Sequence, residues 1–113
     1  MPRVQRDRSS KRERKDAQLR SEVEEIVALA LLDSADARLR QLHVGSVDMK
    51  AGGACLVVSV VPAGRPTLAE IEELQSALDH ARGWLRRQIA QEVNRKRAPD
   101  LVFLVMPPWE AEP

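Results

Sequence analysis

The apolar positions of this 113-residue chain switch between helical and strand spacing, and each switch predicts a new element. Leu19, Val23, Ile26, Val27, Ala30 and Leu31 recur at helical intervals and mark one apolar face. Upstream, Ser10-Lys11-Arg12-Glu13 fits a capping box, with the serine accepting from a free helix amide while the glutamate reaches back. Together they predict a first helix over roughly 11–32, stopped by Asp33-Ser34-Ala35-Asp36. Residues 42–49 are short and partly alternating, and 54–61 are β-branched and strongly apolar, which reads as two strands. Lys50-Ala51-Gly52-Gly53 predicts a tight turn between them, hence an antiparallel hairpin. Two prolines and a glycine make 62–66 a loop.

Thr67-Leu68-Ala69-Glu70 is a second capping box, directly after Pro66. Apolar residues follow at Ile71, Leu74, Leu78, Ala81, Leu85, Ile89 and Val93, and the stripe passes Gly83 without losing phase. Glycine inside a helix costs about 1 kcal/mol relative to alanine. The pattern therefore predicts a kink at Ala81-Arg82-Gly83, with half-helices over roughly 68–82 and 84–95. Pro99 turns Ala98 out of helical geometry, and Leu101-Val102-Phe103-Leu104-Val105 supplies a third strand.

The order helix, strand, strand, kinked helix, strand predicts a two-layer α+β domain, both helices covering one face of a three-stranded sheet. A chain of this length builds one core. The domain is expected over 10–106, between a flexible basic arm over 1–9, which lacks periodicity, and a short tail over 107–113.

Charge changes the picture. The formal net is only +1, but its distribution is segregated. Residues 1–20 hold eight Lys/Arg against three acids, and 82–97 hold six against one, a local +5 in each. Residues 21–80 hold four against ten, a local −6. A cationic surface beside an acidic one fits a polyanionic partner, with solvated faces of unlike sign as the plainer reading. Trp84, Phe103 and Trp109 are the only aromatics, too few for a surface built from stacked bases.

Candidate chemistry is sparse. Cys55 is the lone cysteine, so no internal disulfide forms and a reducing compartment is expected. The charged N-terminus has no apolar signal region, and no run approaches the ~20 apolar residues of a membrane span, so a cytoplasmic location is expected. His43 and His80 lack metal-ligand spacing, Ser59 lacks a glycine-rich elbow, and no GxxxxGK[ST] loop exists. No enzymatic activity, metal or cofactor is expected, and the chain is expected to be a monomer.

The candidate binding residues are therefore the cations. Arg82, Arg86, Arg87, Arg95, Lys96 and Arg97 are read as phosphate contacts, which give affinity without reading sequence. The alternative is a solvated helix end whose charges complement the helix dipole. Arg86 and Arg87 cannot both be central on one face, so one is expected to pair with an acid such as Asp79. Gly83 allows either close approach of backbone to RNA or tight packing of the helix on the sheet. Arg3, Arg6, Arg8, Lys11, Arg12, Arg14 and Lys15 add nonspecific affinity or serve solubility. Arg38 reads more as a structural partner of Asp36 than as an RNA contact. Trp84 reads more as half-buried against the sheet than as a stacking platform. The acids Glu70, Glu72, Glu73 and Asp79 offer a different reading, a protein-interaction surface.

These elements and motifs, across about residues 11–105, resemble bacterial ribosome-binding factor A. Asp36-Ala37-Arg38-Leu39 is similar to that family's Asp-Pro-Arg-Leu, with Ala37 where proline is usual. Ala54-Cys55-Leu56-Val57-Val58-Ser59-Val60 is similar to its Ala-x-Val-x-Val-Ser strand. Ala81-Arg82-Gly83 stands where the family has Ala-x-Gly in place of the Gly-x-x-Gly loop of ordinary KH domains. Leu85-Arg86 matches its apolar-Arg pair, and Pro99-Asp100-Leu101-Val102-Phe103 its Pro-x-Leu-x-Phe, with Lys96 in place of the usual preceding arginine. The resemblance implies a type-II KH-like fold. It also implies binding to the immature small ribosomal subunit and assistance in maturing its RNA, often in the cold, with ribosomal proteins or an assembly GTPase as further partners. A general KH-like nucleic-acid-binding module is the alternative.

Overall fold

The computed structural model describes residues 2–50, 55–93 and 100–111, the side chains of 2–13, 16 and 111 excepted. Helix α1 spans Pro2–Leu32. Its buried face is the predicted one: Leu19, Val23, Val27, Ala30 and Leu31 are almost wholly covered. The helix starts earlier than expected, so the segment 1–9 expected as a flexible arm is helical from Pro2 onward. The physical reason lies in its residue types. Proline is favoured in a first turn, where its missing N–H has no helical partner to lose. The following Arg, Lys, Gln and Glu are straight-chain residues that lose little rotamer freedom in a helix. With the chain already helical upstream, Ser10 and Glu13 fall inside the helix and do not begin it.

A short helix that the periodicity does not predict, α2, spans Ala37–Arg40. Asp36, expected only to stop α1, also caps α2: its carboxylate accepts from the Arg38 N–H at 2.9 Å.

Strands β1 (Leu42–Lys50) and β2 (Cys55–Pro62) form the predicted antiparallel hairpin, in register from Leu42 opposite Pro62 to Lys50 opposite Cys55. The turn at Ala51, Gly52 and Gly53 lies outside the described residues. Strand β3 (Asp100–Val105) runs parallel to β2, giving the order β1-β2-β3. The central strand β2 is the most continuously apolar, because it has a neighbour on each side and its last residues are covered on both faces.

One glycine is sterically required. The register shifts between Val44 and Ser46, leaving Gly45 in a β-bulge. A Cβ there would lie 2.9 Å from Val61 Cγ2. Val61 is buried, and its β-branched side chain has little freedom to turn away. Gly45→Ala is therefore expected to destabilise the fold by about 1–3 kcal/mol, the range for overpacking, seen as a lower urea midpoint at unchanged slope.

Helix α3 spans Leu68–Glu92 and begins with the predicted capping box. Glu70 N–H donates to Thr67 Oγ1 at 3.2 Å, and Thr67 N–H donates to Glu70 Oε1 at 3.4 Å. The predicted kink is a correction: α3 is one helix through Gly83, not two half-helices. A single glycine's penalty of about 1 kcal/mol is small against burying Leu74, Leu78, Leu85 and Ile89 on one straight face, each contributing about 1.5–3 kcal/mol. Beyond β3, the expected tail contains a further short helix, α4 (Pro108–Ala111), started by a proline in the position proline favours. All the helical apolar stripes meet β2 and β3 in one core, which includes Leu56, Val58, Val60, Leu101 and Phe103. The architecture is the expected mixed α+β arrangement, with the long helices over one face of the sheet.

Candidate nucleic-acid interface

The cationic candidates within the described residues collect on the outer side of α3. Successive helical residues turn about 100° around the axis, so Arg82, Arg86, Gly83 and Arg87 spread over an arc of about 140°. All four are exposed, and the buried Leu78, Leu85 and Ile89 lie outside that arc, beside its Arg82 edge.

The expectation that one of the adjacent arginines pairs with an acid holds, with a different acid. Arg86 Nη2 lies 2.9 Å from Asp100 Oδ1, at the start of β3. That carboxylate oxygen also accepts from the Leu101 N–H at 3.0 Å. Asp79 instead accepts from Gln75 Nε2 at 2.9 Å. The Arg86–Asp100 pair is solvent-exposed, the setting in which ion pairs contribute about 0–1 kcal/mol. Arg82 and Arg87 have no ionic or hydrogen-bonding partner among the described residues.

What seats α3 against the sheet is a residue that the sequence pattern does not single out. Gln75 Nε2 donates to the Phe103 carbonyl at 3.1 Å, and the Val105 N–H donates to Gln75 Oε1 at 2.8 Å. Both groups belong to the edge strand β3, whose outward backbone would otherwise lack partners. Gln75 lies 28 and 30 residues from them in the chain, so no local spacing announces it.

Gly83 is open. A Cβ built there meets nothing within 4 Å, and among the described glycines only Gly64, in the 62–66 loop, has a positive φ (78°). Packing against the sheet therefore does not require this glycine. Gly83→Ala is expected to stabilise the protein by about 0.5–1 kcal/mol, since alanine removes the helix penalty without a clash. Thermal unfolding would record a rise of a few degrees, and a fall would contradict the open geometry.

Of the other candidates, Arg38 is structural as expected. Its guanidinium lies 2.9 Å from Asp36 Oδ2, and this bond, together with the Arg38 N–H, holds the Asp36 carboxyl below its usual pKa. Arg40 Nη1 donates to the Ser34 carbonyl at 2.8 Å and closes the same corner. Trp84 is partly buried and packs against the core, as its favoured reading had it, on the flank away from Arg86. Lys15 is exposed on α1. The side chains of Arg8, Lys11 and Arg12, and all of Arg95, Lys96 and Arg97, lie outside the described residues. Among the acids of 70–79, Glu70 closes the capping box and Asp79 accepts from Gln75. Two of the four thus already hold α3 in place.

Among the described residues, no three His, Cys, Asp or Glu side chains group to hold a metal ion, and no helix is long and apolar enough to cross a membrane.

No family model matches the chain. It is 31% identical over 80 residues to the ribosome-binding factor A of Chromohalobacter salexigens, a match covering 71% of this chain and 61% of that relative's own length. The crystal structure of ribosome-binding factor A from Thermus thermophilus superposes with a TM-score of 0.65 at 28% identity, over 79% of this chain and 93% of that one. The solution structure of a Thermotoga maritima candidate ribosome-binding factor A gives 0.62 at 26% identity, over 77% and 82%. Helices over one face of a three-stranded sheet are the KH-like arrangement of these relatives. Sequence and architecture thus agree in what the chain is similar to, ribosome-binding factor A.

Proposed function

We propose that this protein is a non-enzymatic, cytoplasmic assembly factor that binds the immature small ribosomal subunit and assists the maturation of its RNA. The observation that carries the reading is the outer face of α3, where Arg82 and Arg87 are unpartnered among the described residues and the backbone at Gly83 is uncovered. Two free guanidinium groups flanking bare backbone suit a phosphate chain that must come close. Arg86 adds a third guanidinium on the same arc. Arg95, Lys96 and Arg97 follow α3 in sequence, and Arg8, Lys11, Arg12 and Lys15 belong to α1. In this reading they supply further phosphate contacts, with no readout of base sequence. The names of the relatives supply the ribosome as the target.

Fractionating a lysate on a density gradient tests this. The protein is expected with free small subunits rather than with translating ribosomes. If purified protein binds short unstructured oligonucleotides as tightly as it binds subunits, the general nucleic-acid-binding alternative replaces this reading.

A further inference from the structure

The flank of α3 away from Arg82 and Arg86 faces a groove of about 790 Å³ against α1. Its apolar lining is Ile26, Leu29 and Leu32 of α1 and Trp84 of α3. Leu29 and Leu32 are 61% and 65% exposed, so a greasy strip one helical turn long faces water. The rim is acidic: Glu22 and Glu25 on α1, Asp33 just beyond it, and Glu92 at the end of α3. Among the described residues that line it there is no Lys or Arg. Residues 21–37, which form most of one wall, contain five acids and no base. A second hollow of about 580 Å³ shares Asp33 and Trp84 with the first and continues past α2 to His80.

We propose that this groove seats a cationic amphipathic segment of a partner protein. Its apolar side chains would lie on Leu29, Leu32 and Trp84, and its Lys or Arg side chains would face the four carboxylates. An apolar lining with carboxylates around it selects for both properties at once, the logic of helix-in-groove recognition. The same rim repels RNA and anionic lipid. Trp84 and Arg86 are two residues apart and so about 160° apart around α3. Arg82 is likewise about 160° from Trp84, while Arg87, about 60° from it, stands at the boundary between the two faces.

The probe is a short, fluorescein-labelled amphipathic peptide made only of leucine and lysine, titrated with the full chain carrying Trp109→Phe. Trp84 is then the only indole and reports from the groove itself. Saturable anisotropy with a shift in Trp84 emission is expected. Leu29→Glu, and separately Glu22→Lys with Glu25→Lys, should each weaken binding about tenfold or more, the scale of an interface anchor. Glu25 and Leu29 are exposed on α1 and Glu22 is half-buried, and unchanged Tm values confirm that these variants fold. The proposal is overturned if Leu29→Glu has no effect, or if a serine-lysine peptide binds equally well. It is also overturned if Arg95→Gln, Lys96→Gln and Arg97→Gln together raise affinity sharply, which would make the chain's own segment the occupant. Self-association abolished by Leu29→Glu would make the occupant a second copy and overturn it too.

Discussion

Leu85→Ala is expected to lower the unfolding free energy by about 3 kcal/mol or more, the range for deleting most of a fully buried leucine side chain. Leu85 is 0% exposed and shares the core with Leu78, Ile89, Leu101 and Phe103. The loss combines the transfer energy of the removed methyl and methylene groups with the cavity left in a packed interior. Domains of this size have only about 5–15 kcal/mol in total, so the variant should unfold at a midpoint about 15 °C lower. Leu68 provides the control on the same helix. It is 71% exposed, and Leu68→Ala should change stability by no more than about 0.5 kcal/mol. Equal losses at the two positions in urea titrations would mean that α3 is not seated as described. Leu85 also stands between Trp84 and Arg86, so its removal loosens the turn from which one side chain faces the groove and the other faces Asp100.

What could be read from the chain divides along sequence separation. The three strands emerged within a residue or two of their ends, because β-branched runs between turn residues have few other uses. The Thr67–Glu70 box and the Asp36–Arg38 pair were legible for the same reason, their partners being two or three residues apart. Helix α2 was not, because four residues carry no period and a capping aspartate looks the same as a stopping one. The basic start of α1 was ambiguous: Arg, Lys and Glu serve equally well in a solvated arm and in an exposed helix. At Gly83, local propensity pointed to a kink, and the packing of a whole apolar face outweighed it. The links from Gln75 to β3 and from Arg86 to Asp100 span 14 to 30 residues, so they depend on how helix and strand are docked. The exposed site residues were found through charge density, which names the cations but not which of them is already paired.

That last distinction sets the sharpest functional expectation. Arg82→Glu together with Arg87→Glu should weaken binding to small subunits by about tenfold or more at moderate salt, with Tm nearly unchanged. Each phosphate contact releases roughly one condensed counterion, so removing two should also flatten the dependence of log affinity on log salt by about 1.8. Neither arginine has a partner among the described residues to lose, which is why stability should be spared. Arg86→Glu behaves differently. It breaks the 2.9 Å link to Asp100 and sets two carboxylates against each other, so some stability, about 1 kcal/mol or less for an exposed pair, should be lost with the affinity. Gly83→Ala separates backbone approach from charge. It keeps every cation, gains stability, and should still bind more weakly if a phosphate chain lies against the bare helix. If the double reversal leaves both affinity and salt slope intact, the outer face of α3 is not the contact, and the ribosome is gripped by another part of the molecule.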